Sequence, residues 1–262
     1  MRTPRLAGLG LATTATAALA LAGCANGDAT PAASAPAPTA SATASASVGA
    51  ADPAAVDALT KATSQLGTTS FKITATSGSG FKLTGAIDPG KGVGTADLKA
   101  TGTNADVSLK TLLIEKDLYL QVPGFTKAGT WTHVDVARLP EGANVGLRPG
   151  EIDPVNTSNL LGSATDVHAT GSNSYAGTLD LTKAAGLAGV SQVTVDSTQA
   201  QNVPFTAGLD AQGRLSVLTI QIPNAQPLEV LYTDYGVPVT AARPAASEIT
   251  EAPDSLYKSL GS

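Results

Sequence analysis

The chain has 262 residues, a formal net charge of −5, one cysteine, 27 glycines and only 4% aromatic residues. A single thiol excludes an internal disulfide or a cysteine-based metal site. An acidic chain without a basic run is a poor candidate for binding nucleic acid or an anionic lipid surface, since both rely on clustered Lys and Arg, and a nucleic-acid function is set aside.

Residues 1–23 have the layout of an export signal. Arg2 and Arg5 form a positive start, Leu6 to Gly23 carries no charge, and small residues converge on the lone Cys24. The stretch Leu21-Ala22-Gly23-Cys24 resembles a bacterial lipobox, which implies that Cys24 receives a diacylglycerol thioether and becomes the new N-terminus. The alternative, an uncleaved spanning helix, has only 18 uncharged residues rich in Ala, Thr and Gly, at the lower edge of spanning length. Loss of Arg2 and Arg5 takes the formal charge from −5 to −7. Acyl chains at Cys24 anchor the protein to a membrane without crossing it. The reading places it on the outer face of the cytoplasmic membrane, in the cell envelope.

Residues 25–51 are nearly all Ala, Pro, Ser and Thr. Too few apolar side chains are present to offset ordering entropy, so a disordered tether is expected, spanning roughly 30 Å root-mean-square. Residues 52–262 are left for a single β-rich domain.

That domain opens with a helix over about 52–67, with Asp52 as N-cap, Pro53 at the first helical position and Val56, Leu59, Thr63 and Leu66 on one face. The hydrophobic period then changes from 3.6 to 2. Phe71, Ile73 and Ala75 alternate with Lys72, Thr74 and Thr76, and Phe81, Leu83 and Ile87 alternate with Lys82, Thr84 and Asp88. Turns fall at Gly78–Gly80 and at "DPGKG", residues 88–92. Alternation continues through Val107 and Leu109, Leu118 and Leu120, and Trp131 and Val134, as expected of an antiparallel meander with one apolar face. A helix is expected around Pro154–Leu161 with Asp153 as its cap. Strands follow at "YAGTLDL", "VPFTAGLD", "RLSVLTIQIP" and "PLEVLYTDYG", with short helices at "TKAAGLAG" (182–189) and near Asp254–Leu260.

No catalytic constellation emerges, and neither an enzyme nor a cofactor is expected. His133 and His168 lack partners for a triad or metal site, and the chain has no Gly-x-Ser-x-Gly elbow. "GAIDPGKG" approaches a phosphate-binding loop, but Gly92 stands where the hydroxyl residue belongs and the segment runs into a strand, so it reads as a hairpin turn. Alternation alone leaves two arrangements open. The helices either fill the apolar face of the sheet, or leave a surplus that forms a ligand cavity.

The order of these pieces resembles the LppX/LprG-type actinobacterial lipoproteins, within the wider LolA/LolB-like group. The pieces are lipobox and tether, a helix leading into "TSFKITATS", "DLYLQVPG" with "WTHVDV", "DPVNTSNLLGSATDVHATGS", and "VPFTAGLDAQGRLSVLTIQI" with "YTDYGVPVTAARP". The resemblance implies an α+β fold in which a curved antiparallel half-barrel sheet wraps over a few helices. It also implies a cavity that holds lipid or glycolipid chains for carriage within the envelope, with an envelope transporter as a candidate partner. The cavity residues expected from the inward alternation are Phe71, Ile73, Phe81, Leu83, Ile87, Val107 and Leu109, with Leu179, Phe205 and Leu228 from the later strands. The competing expectation is a filled core on a non-catalytic surface lipoprotein that acts through protein contacts.

Overall fold

The computed structural model describes residues 51–101, 106–124, 126–139, 147–148, 150, 152–182 and 197–260. The leader, Cys24, the tether up to residue 50 and most of the 182–189 segment lie outside these residues.

The chain enters through α1 (Pro53–Leu66), where the Asp52 carboxylate accepts a hydrogen bond from the Ala54 N–H and Pro53 occupies the first turn. Its buried face runs through Ala55, Leu59, Ala62 and Leu66. Val56 stands one position off this stripe and is exposed, which corrects the expected face by one residue.

Among the described residues, twelve strands form one open, curled sheet. They are β1 (Phe71–Ser77), β2 (Phe81–Asp88), β3 (Val93–Thr101), β4 (Asp106–Ile114), β5 (Asp117–Gln121), β6 (Trp131–Val134), β7 (Ala164–Gly171), β8 (Ser174–Leu179), β9 (Val203–Leu209), β10 (Leu215–Ile220), β11 (Leu228–Thr233) and β12 (Ile249–Glu251). Their order in space is β12-β6-β5-β4-β3-β2-β1-β11-β10-β9-β8-β7. The β2–β3 connection is the hairpin expected at residues 88–92. The Asp88 carboxylate accepts from the Lys91 N–H, and Gly92 takes the left-handed conformation at φ 64°.

Every pair is antiparallel except β12 with β6, so the sheet is mixed, where sequence alternation predicts an antiparallel one. The cause lies in the segment after β11, which does not turn back as a hairpin. It runs over the outer face, with Val237–Thr240 beside Lys72 and Ala86 and the Arg243 guanidinium donating to the Tyr119 hydroxyl at 2.8 Å. It then reaches the far edge and pairs there in the same direction as β6. Beneath this strap Leu112 and Tyr119, both outward-facing, are buried.

Helices α1, α2 (Thr157–Gly162) and α4 (Asp254–Leu260), with the segment carrying Leu147, Ile152 and Val155, pack on the inner face. A short α3 (Ser197–Ala200) precedes β9. One continuous apolar core results, running from Leu59 and Leu66 through Ile73, Leu83 and Phe205 to Leu256. All strands and the whole of this core fall within the compact unit Ala46–Ser262.

Candidate functional site

Cross-strand partners share a face of a sheet, so the pairing places the expected residues relative to one another. Phe71 lies opposite Ile87, and Ile73 opposite Gly85. Leu83, Leu98 and Leu109 form one row across β2, β3 and β4, and Phe81, Ala100 and Val107 form the next. On the other side Leu228 pairs with Ile220, and Ile220 with Phe205. The ten expected apolar positions therefore do share the inner face.

They do not share an environment. Phe71, Ile73, Leu83, Ile87, Leu179, Phe205 and Leu228 are buried in the core, and Phe81 and Leu109 are half-buried against it. Val107 is 46% exposed, which corrects the expectation that it lies among enclosed side chains. Period-2 alternation assigns a side chain to a face, whereas burial depends on what covers that face. Leu147 seals the row at Gly94, where a Cβ would come within 3.0 Å of its Cδ1. Towards the Gly78–Gly80 turn the inward side chains grow more exposed, from the buried Leu83 through the half-buried Leu98 and Leu109 to Val107.

Sequence reasoning missed Leu98, because the strand expected after Gly92 shows no alternation that fixes its inward face. Of the inward positions there, Gly94, Ala96 and Ala100 are too small to give an apolar signal and leave Leu98 alone, although the outward set Thr95, Asp97 and Lys99 is polar. The expected cap at Asp153 does hold the start of α2, although the helix begins at Thr157 and not at Pro154; what sequence reasoning missed is the polar seam that continues from it to the sheet. The Asp153 carboxylate accepts from the Val155 N–H at 3.0 Å and the Thr157 N–H at 2.8 Å. The Thr157 hydroxyl lies 2.5 Å from that of Tyr232 on β11. Burial pushes the Asp153 carboxyl above the usual carboxylate range, against the lowering effect of those N–H donors. Burial, and next the nearby Asp153, hold the Tyr232 phenol well above its ordinary value.

On the outer face His133 sits between the Asp117 carboxylate at 3.3 Å and that of Glu251 at 3.1 Å, and Arg243 pairs with Asp117. These groups tie the strap and β12 to β5 and β6. Asp135, which alternation puts on the same face as His133, instead caps the turn after β6 by accepting from the Ala137 N–H. His168 is exposed, at a bulge in β7, and its Nδ1 lies 2.7 Å from the Asp166 carbonyl. Among the described residues no three His, Cys, Asp or Glu side chains are grouped to hold a metal, and no helix is long and apolar enough to cross a membrane.

The site is thus an apolar inner face, buried at its middle and exposed at Val107 on the β2–β3–β4 end. Such a surface can bind and shield apolar chains. No protein-family model matches the chain, and no curated protein matches it.

Proposed function

We propose that this chain is an exported lipoprotein, anchored to a membrane through Cys24, with a LolA-like half-barrel that binds the acyl chains of a lipid or glycolipid and carries them within the cell envelope. The observation that carries this reading is the continuity of the inner face from the buried Leu83 through the half-buried Phe81, Leu98 and Leu109 to the exposed Val107. An acyl chain laid on the open end removes its own surface and that of these side chains from water, at about 0.8 kcal/mol per methylene. It can advance where the core yields. No covalent step is involved.

The protein purified gently from its host carries a stoichiometric extra mass in native mass spectrometry, and that mass extracts into organic solvent. The double variant Val107→Glu/Leu109→Glu, altered only at exposed and half-buried positions, loses at least nine-tenths of it. A clean protein mass that stays clean after envelope lipids are added overturns the reading.

A specific observation favours a second reading. Leu83, Ile87 and Leu179 have no accessible surface, as in a filled core, and the open apolar end then serves as a contact face for an envelope protein. The clean-mass outcome selects it.

The anchor has its own test. Cells fed a labelled fatty acid incorporate label into the wild-type chain and none into Cys24→Ser. An unlabelled wild-type chain removes the lipid anchor from the proposal.

A further inference from the structure

Among the described residues, the three helices that cover the inner face are not held equally. α1 runs for 14 residues and buries five of them, and α2 is fastened by the buried seam of Asp153, Thr157 and Tyr232. α4 has seven residues and puts Leu256 and Tyr257 into the core. The strand that leads into it, β12, is three residues long and sits at the sheet edge on β6. It pairs in parallel, the less stable arrangement for each residue.

The polar ties of this unit lie at the surface. The Arg138 guanidinium donates to the Asp254 carboxylate at 2.6 Å and stacks on the Tyr257 ring at 4.1 Å, and Glu251 meets His133 at 3.1 Å. The Asp254 and Glu251 side chains are 81% and 78% exposed, and ion pairs so open to water contribute little. Two backbone donors complete the set, the Ala252 N–H on the His133 carbonyl and the Asp135 N–H on the Tyr257 hydroxyl. Upstream, the strap has its own anchor in Arg243 on Asp117 and Tyr119. Residues 244–248, exposed from Ala245 onward, therefore join a fixed point to a loosely held unit.

Leu113 on β4, Leu118 on β5 and Val134 on β6 form one inward row without accessible surface. The row ends at Val134, beside the Asp135–Tyr257 contact. Along β4 the inner positions Leu113, Thr111, Leu109 and Val107 pass from buried to exposed, so a single strand links the exposed end of the inner face to the row next to α4.

We propose that β12 and α4 form a gate on the inner face. The gate swings out about residues 244–248 and lets an acyl chain lying along β4 advance from Leu109 towards Leu118 and Val134. The proposal rests on the lipid-binding reading and deepens it, because it names the element that moves to admit the cargo. Openings of this kind draw on the parts of a fold with the least apolar burial and the most exposed hydrogen bonds.

The test uses the whole chain with Cys24→Ser, which leaves no thiol. Hydrogen exchange comes first and needs no lipid. Amides of Ile249–Tyr257 exchange together, about tenfold or more faster than those of β4. Arg138→Ala, which removes both the ion pair and the stacked guanidinium, speeds them further and leaves β4 unchanged. Protection of Ile249–Tyr257 equal to that of β4 overturns the gate.

Uptake of cis-parinaric acid by the delipidated chain comes second. Thr132 and Thr250 are direct partners across β6 and β12, so a disulfide in Thr132→Cys/Thr250→Cys bolts the gate. The oxidised form takes up the probe at least tenfold more slowly, reduction restores the rate, and Arg138→Ala raises it. Equal rates in the oxidised and reduced forms overturn the gate and leave the carrier standing. No uptake by any form overturns the carrier, while rapid concerted exchange of Ile249–Tyr257 still shows the opening.

Discussion

Replacing Phe205 by alanine lowers the unfolding free energy by about 3–5 kcal/mol in denaturant titration, with little change in the slope of the transition. The ring is buried on the inner face of β9, between Gly177 on β8 and Ile220 on β10. Its seat exists because position 177 has no side chain. A Cβ there would lie 2.8 Å from Cε1 of the ring and 2.8 Å from the Thr165 carbonyl oxygen, and the latter belongs to backbone that cannot rotate away. Gly177→Ala is accordingly destabilising too, by about 1–3 kcal/mol through overpacking.

The size of the Phe205 effect also bears on function. The cost of a large-to-small change grows with the volume left empty, and it stays small where the ring already borders empty space. A loss near 1 kcal/mol would show that this part of the inner face is not close-packed, and would move the ligand-accommodating surface from the open β2–β3–β4 end to the β8–β9 region. A loss in the expected range keeps that region as core and leaves the open end as the binding surface.

The features legible in the sequence were the local ones. Alternation in residues 71–77 and 81–88 follows from side chains pointing to opposite faces in turn, and the pairing confirms that Phe71, Ile73, Leu83 and Ile87 look inward together. The cap at Asp52 and the hairpin at Asp88–Gly92 depend on neighbours within four residues and were legible for the same reason. β12 was not. Three residues pairing in parallel with a strand more than a hundred positions earlier leave no local pattern, and the strap that delivers them is held by Arg243 on Asp117 and Tyr119, a contact that only the fold creates. The exposure of Val107 was hidden because its pattern is that of any inward strand residue. Register, not sequence distance, puts Lys82 opposite Lys99 across β2 and β3, a juxtaposition that no local pattern shows.

The second large effect is expected at Asp153, and it depends on pH. Both carboxylate oxygens are used at the start of α2, on the N–H groups of Val155 and Thr157, and Thr157 in turn meets Tyr232. Asp153→Ala leaves those donors without their acceptor in a partly buried setting and costs about 1–3 kcal/mol. Asp153→Asn retains one acceptor oxygen and costs less, but it changes how stability responds to pH. Because burial raises the carboxyl in the folded protein, the folded state binds more protons than the unfolded state in the interval above about pH 4. Stability from this group therefore falls as pH rises through that interval, by up to about 1.4 kcal/mol per pH unit, and levels off once both states are ionised. Asp210 pulls the other way. Burial raises it, but the Arg214 N–H and guanidinium and the Gln212 N–H outweigh that and hold it below the usual range, so its contribution is lost as pH falls. Subtracting the Asp153→Asn curve from the wild-type curve cancels Asp210 and isolates the descending branch. A flat difference between pH 4 and 7 would mean that Asp153 is ionised in the folded protein as readily as in the unfolded one. In that case the seam joining α2 to β11 holds through the N–H bonds alone, without a penalty for burying the charge.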